Sequence, residues 1–456
     1  MATQEPGSGY RIDEVAPEVG HTVLPGAHVS LAMTVAPDAV CWVHPDGDDD
    51  PAHRLRVYAD SVGVARFGVQ VDRGADEPVG LVVDALAAGR VTSHPLRLRF
   101  SHDIDESMPP PAADVPGTAG GAQQRPGLSL EQARALTPQR ALAEGYPLPP
   151  DADAAPAAYA RWLRLVGTPS VLIEPRVVAS PDVSHGKAVG PPTAAAAGPA
   201  GEQAGAASFT NWSGYELLRT LYIVWGPRGP IAFRFTDPYD WVNGTWRVPA
   251  VTGAPGVQTF SALWAGLDGD NTTDLVQAGT EQNNVTLILP FIGRLSLSSY
   301  YAWTEFLPQQ PTEQVITNFP VRVGDEIYTE VSMGDAAGDL SLSGIFGRFL
   351  IMNLTTGQVA QIYTPRGSTI VSGREAVWIM ERPTVGGSLP SLADYGSATI
   401  YYAEARRINS ARHQGYVNYL TGNTQVDTMT DSAGTILSTV TAVDSQSMRF
   451  DWKAFA

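Results

Sequence analysis

The chain has 456 residues, 43% hydrophobic and only 17% charged, with a formal net charge of -17 at neutral pH. That length calls for more than one folded unit, and the acidic surplus excludes nucleic acid as a partner, since its phosphates would be repelled rather than neutralised. A single cysteine, Cys41, rules out an intrachain disulfide and a cysteine metal site, and no run of about 18 apolar residues offers a membrane-spanning helix.

The N-terminal MATQEPGSGYRIDE has no basic start followed by an apolar core, so no secretory signal is expected there. Short alternating runs follow (HVSLAMTV, VCWVH, HRLRVYA, VARFGVQV, VGLVVDAL, LRLRF), and their turn spacing predicts a small Ig-like β-sandwich over residues 1–104. Cys41 is expected to be a buried small residue there. His21, His28, His44, His53 and His94 match no zinc-site spacing and are expected in loops and at strand edges. Residues 105–207 are rich in proline, alanine and glycine, a composition that buries too little apolar surface to make a core. They are expected to be a linker, or an arm like a propeptide that covers a cleft. Within them SLEQARALTPQRALAEG opens on a capping box, Ser129 with Gln132, and predicts a short helix. YARWLRLVGTPSVLIEPRVVA is apolar enough to dock on something. Over residues 208–456, runs such as TWRVPAV, FSALWAGL, DLVQAG, VTLILPFI and AVWIMERP predict an all-β unit of two packed antiparallel sheets.

Several chemistries lack their residues. His413 is the one histidine of the β-rich part and has no G-x-S-x-G elbow, and there is no H-E-x-x-H and no phosphate-cradling glycine loop. DSAGT at Asp431 is an unpaired echo of an aspartic dyad. Carboxylate and carboxamide chemistry is left. Glu305 lies in YYAWTEF, and Glu381 ends a strand in which it shares a face with Val377 and Ile379. An apolar setting raises a carboxyl pKa and suits acid/base work in acid. Glu381 could equally be a strand-end residue paired with Arg374 or Arg382. Gln277, on one face with Leu275, is either a satisfied structural residue or faces a cleft. The sequons at Asn211, Asn243, Asn271, Asn284 and Asn353 are expected to be turn residues unless the host glycosylates them.

Five blocks together resemble the glutamic peptidases, or eqolisins: NWSGYE at Asn211, WAGLDGDNTTDLVQAGTEQ at Trp264, YYAWTEFLP at Tyr300, NLTTGQ at Asn353, and AVWIMERPTVGGSLPSLADYGSATI at Ala376. The resemblance implies a concanavalin-like β-sandwich, an acid-acting endopeptidase on polypeptide substrates, and a catalytic pair at Gln277 and Glu381. It places Trp264, Asp268, Trp303 and Glu305 at the cleft wall or behind the pair. With Trp212, Trp264 and Trp303 line the expected cleft. Val377 stands where the family's motif has a first acidic residue. The family's fungal members carry disulfides that this chain cannot make, so a bacterial-type member is implied, and secretion with it. No metal, cofactor or covalent intermediate is implied. Two other readings stay open. A sandwich with those three tryptophans could bind glycans or peptides without catalysis, and the peptidase could be a latent precursor, with His185 or Lys187 of SHGKAVGPP placing a cation near Glu381.

Overall fold

The computed structural model describes residues 2–5, 9–12, 21–23, 28–71, 75–100, 122–153, 155–188, 205–219, 221–226, 229–235, 237–270, 272–290, 293–334, 346–364, 371–408 and 423–456. His413 and Asn271 lie outside them. Among the described residues the chain is β-structure apart from three α-helices and one turn of 3-10 helix, as the strand-rich composition predicts.

The larger unit is built from β1 (Trp212–Leu218), β2 (Tyr239–Arg247), β3 (Gln258–Asp268), β4 (Leu275–Leu289), β5 (Gly293–Leu307), β6 (Gln314–Pro320) and β7 (Glu326–Gly334). It continues with β8 (Phe346–Asn353), β9 (Gln358–Tyr363), β10 (Glu375–Glu381), β11 (Ser397–Arg407), β12 (Asn423–Thr430), β13 (Ile436–Ala442) and β14 (Met448–Trp452). One antiparallel layer runs β12-β1-β10-β3-β4-β5-β6. The other runs β14-β11-β2-β7-β8-β9, and β13 pairs with both β12 and β14 to join them along one side.

Strand alternation divides each central strand between two environments. In β10, Ala376, Trp378 and Met380 enter the core between the layers, whereas Val377 and Ile379 join Trp212, Ala262, Trp264 and Trp303 in a second apolar cluster on the opposite face. Glu381 continues that second row. A register slip of one residue would put Glu381 into the core and Trp378 outside it, so the apolar pattern itself holds the register.

The first hundred residues do not close their core alone. The 15-residue strands β4 and β5 extend past the sandwich, and β5 pairs there with the strand Val64–Val71. Val285, Leu287, Leu295 and Leu297 of this hairpin pack among Leu31, Val43, Phe67, Leu81 and Val83. Cys41 is buried in that core, and burial pushes its thiol up to about 12. His44 and His53 pair with Asp84 and Asp48 at 3.2 and 2.7 Å.

Within the expected arm, residues 122–188 carry α1 (Leu130–Arg134), α2 (Pro138–Glu144) and α3 (Pro156–Gly167). The Ser129–Gln132 capping box is formed in both directions. Trp162 of α3 donates to the Pro147 carbonyl at 2.8 Å and packs with Leu142, Leu148 and Trp241. The strand Ser170–Ile173 then adds in parallel to β9. Pro138 and Pro156 open α2 and α3, Ala133, Ala141 and Ala158 are buried within the helices, and the two apolar islands dock on the second layer.

Candidate active site

Glu381 is fully buried at the end of β10, with Trp212 opposite it on β1 and Ala262 opposite it on β3. Its carboxylate accepts from the Trp264 indole at 2.7 Å and the Asn211 amide at 3.2 Å. Gln277 pairs in register with Glu305 across β4 and β5, and its Nε2 donates to Glu305 Oε2 at 2.8 Å. Neither arginine suggested as a strand-end partner fills that place: the Arg382 guanidinium donates to the Thr210 carbonyl, and Glu381 has His185 as its cationic neighbour.

Residues 177–188 cross this face as an extended chain. Val177–Ala179 pairs with β6, and Val183–Ser184 pairs with Thr384–Val385. The His185 amide then donates to Glu305 at 3.0 Å, and the Gly186 amide to Glu381 at 2.9 Å. Asn211 brackets the next step, donating to the Gly186 carbonyl at 2.8 Å and accepting from the Ala188 amide at 3.0 Å. The His185 ring lies flat on Trp303, centroids 3.6 Å apart with 4° between planes. Its Nδ1 is 3.1 Å from Glu381 and its Nε2 is 3.1 Å from Glu313 and 3.8 Å from Glu281. The N-terminal unit holds the same segment from outside, through Arg56 to Asp182 at 2.9 Å and Tyr58 to Ser180 at 3.3 Å.

Burial alone would push the His185 imidazole down, but the Glu381 charge and hydrogen bonds to Glu313 and Glu381 override it and hold it well above its ordinary value. Burial pushes the Glu305 carboxyl well up, against the opposing pull of His185. Glu281 is raised in the same way, chiefly by burial, with His185 again opposing. Tyr301, raised by burial and by Glu313 and Glu281, keeps its proton and donates it to Glu313 at 2.9 Å. Two groups have cation-ligand spacing: His185 with Glu281 and Glu313, and Glu216 with Asp270 and Glu375. In this conformation the first already contains an imidazole, and Lys187 stands against the second.

The structure therefore brings Gln277, Glu305, Glu381, Trp212, Trp264 and Trp303 onto one face; Trp212 meets Trp264 edge-on at 5.1 Å. Asp268 is elsewhere. It sits at the far end of β3 at φ +69° and accepts from the Gly373, Arg374 and Glu375 amides at 2.7, 2.6 and 3.3 Å. It positions β10 rather than touching the cleft. Asp268→Ala would leave those buried donors unpaired, and a loss of about 3 kcal/mol in urea or thermal unfolding is expected; an unchanged midpoint would refute the role. Glu313 carries no motif, whereas Glu281 and Tyr301 stand within the WAGLDGDNTTDLVQAGTEQ and YYAWTEFLP blocks without being singled out, Glu281 four residues after Gln277 on the same face of β4. Three sequons are not turn residues: Asn211 lines the site, and Asn243 and Asn284 are buried within β2 and β4. Asn353 does brace a turn, accepting from the Thr355 and Thr356 amides.

Fold and site together define a β-sandwich, one face of which holds a polypeptide segment over buried carboxyl and carboxamide groups. Residues 229–452 match the model of the Peptidase A4 family. Aspergillopepsin-2 of Aspergillus niger is 28% identical over 189 residues, which cover 37% of this chain and 60% of that protein. The chain thus spans less than two thirds of that relative's length. Scytalido-glutamic peptidase with a peptide-based transition state analog aligns with a TM-score of 0.38 at 18% identity, over 54% of this chain and 98% of that one. SCP-B, an eqolisin in complex with the tripeptide Ala-Ile-His, aligns at 0.37 and 18% over the same shares.

Proposed function

We propose that the chain is an acid-acting endopeptidase in which Glu381 and Gln277 hydrolyse peptide bonds, and that residues 177–188 are an intramolecular arm that holds it latent. The observation that carries this reading is the path of the arm: an extended polypeptide, held largely through its backbone, passes directly over Glu381. A substrate strand would take the same path. Glu381, ionised, accepts a proton from a water set against the scissile carbonyl, and the water oxygen bonds to the carbonyl carbon. Gln277 Nε2, which donates to Glu305 while the arm is docked, turns to the developing oxyanion. Glu381 then returns the proton to the leaving amine as the C–N bond breaks. Trp264 and Asn211 hold the Glu381 carboxylate in place through both steps. Secretion is part of the same proposal.

The arm itself carries glycine where a substrate would carry a side chain. Gly186 is at φ +129°, which L-residues rarely adopt, and a Cβ there would meet Leu307 at 3.1 Å.

The test is digestion of a denatured protein from pH 2 to pH 7 with an aspartic-peptidase inhibitor present. Cleavage confined to acid and indifferent to the inhibitor is expected. No cleavage at any pH would sink the reading. Retention on immobilised glycans would then favour the binding alternative, which the tryptophans do not support here: all three are buried, and Trp303 is already covered by His185.

A further inference from the structure

Two residues beyond His185, the arm's Lys187 enters a second carboxyl cluster that the proposed chemistry does not use. It forms an ion pair with Asp270, and its ammonium lies 3.5 Å from the centre of the Phe209 ring. Glu216, Asp427 and Glu375 stabilise its charge, while burial pushes its pKa down. Glu216 is fully buried on β1, in the same row as Trp212, and no donor reaches either carboxylate oxygen. It meets the Asp427 carboxyl, and burial of the two beside one another raises both. Around them the frame is built: Gln425 donates to Asp427 at 3.0 Å and to Asp270 at 3.3 Å, and the Asp270 amide donates to Glu375 at 2.9 Å.

Carboxyls buried beside one another destabilise a fold unless a cation meets them. Here the cation comes from the segment that must leave before a substrate can enter, and the four carboxyls remain behind at the end of the cleft.

We infer that Glu216, Asp270, Glu375 and Asp427 form a substrate subsite for a lysine or arginine side chain, placed C-terminal to the bond that is cut; this rests on the peptidase reading above. The arm shows the fit. Its backbone is gripped at His185, Gly186 and Ala188 by groups that would grip any extended peptide, and the side chain between the last two reaches the pocket. An aromatic wall and flanking carboxylates suit a long cationic side chain. The subsite also has a definite pH response. Burial and Asp427 push Glu216 well up, and burial pushes Asp427 up to about 6; Lys187, Glu375 and Asp270 are the charged groups facing them. Both therefore still hold their protons well below pH 6, and Asp427 gains charge only as pH approaches that value.

The experiment is cleavage-site profiling of the full chain on a mixed peptide library at pH 3 and pH 5, followed by kcat/KM on peptide pairs that differ only in lysine against norleucine. Expected is enrichment of lysine and arginine at one fixed position within three residues after the cut. The lysine peptide should be favoured at least tenfold at pH 5. Glu216→Gln and Asp427→Asn should each reduce that ratio, which is read within each variant and so is independent of any change in its overall rate. A flat profile from wild-type protein that cuts both peptides equally overturns the subsite alone. If neither peptide nor a denatured protein is cut, the peptidase reading falls and the subsite with it.

Discussion

Glu381→Gln is expected to abolish acid cleavage, with a loss on the order of 10³-fold or more, the usual scale for removing a positioned acid/base group. Glutamine keeps the size of the side chain and can still accept from Trp264 and the Gly186 amide, so the strand and its cluster should stay folded. It cannot take a proton from water. The substitution also removes one counter-charge of His185 and loosens the arm, which by itself would raise activity; a loss therefore cannot be blamed on a blocked cleft. Gln277→Ala should cost about 10²- to 10³-fold, as for one oxyanion donor, with Glu381 untouched. Digestion of a denatured protein at pH 3, with thermal unfolding as the check on integrity, reads both. Wild-type rates in Glu381→Gln would remove it from the chemistry.

His185→Gln should open the enzyme at a pH where the wild type is closed. The docked imidazole has a pKa well above its free value of about 6.5. Its contribution to docking is therefore present in full below that free value and is lost as pH rises through the docked one. Acid acts on the carboxyls around it. Burial already pushes Glu281 and Glu305 well up, and as they take up protons the buried imidazolium loses counter-charge, at a cost of several kcal/mol. The arm is thus held where those charges persist and is loosened in acid. Glutamine removes the cation and leaves the buried carboxyls facing one another, a penalty of about 3–5 kcal/mol, so peptide cleavage at pH 6 should rise on the order of 10²-fold or more. Hydrogen exchange at residues 183–188 gives the independent readout: protected at pH 6 in the wild type, unprotected there in the variant and in both proteins at pH 3. Equal protection and equal pH 6 activity in the two would dismiss the latch.

Local pattern and tertiary placement divide this molecule cleanly. The alternation in AVWIME was enough to put Trp378 and Glu381 on opposite faces, because a strand has a period of two whatever it packs against. The carboxamide at Gln277 in an apolar run and the glutamates beside aromatics in YYAWTEF and AVWIME marked the site for the same reason: a polar group on an apolar face has to be met by something. The capping box at Ser129 was likewise local, since its two hydrogen bonds span three residues. What lay across the chain was not legible. Glu313 reaches His185 from a turn 128 residues away, Asp268 turned out to hold a loop more than a hundred residues on, and Asn211 left its expected turn to line the cleft. Composition pointed to 105–207 as poor in core-forming residues, and in sum it is. Docking needs only a few apolar side chains and backbone donors at the right places, and a composition average hides them. The sequence determined the β-architecture, the two faces of each strand and the residues able to do acid/base chemistry, all of which follow from spacing over a few residues. The sequence offered His185 or Lys187 as a cation near Glu381; the tertiary structure decided that His185 takes that place and Lys187 a second buried carboxyl cluster, because burial and charge pairing depend on which distant strands meet.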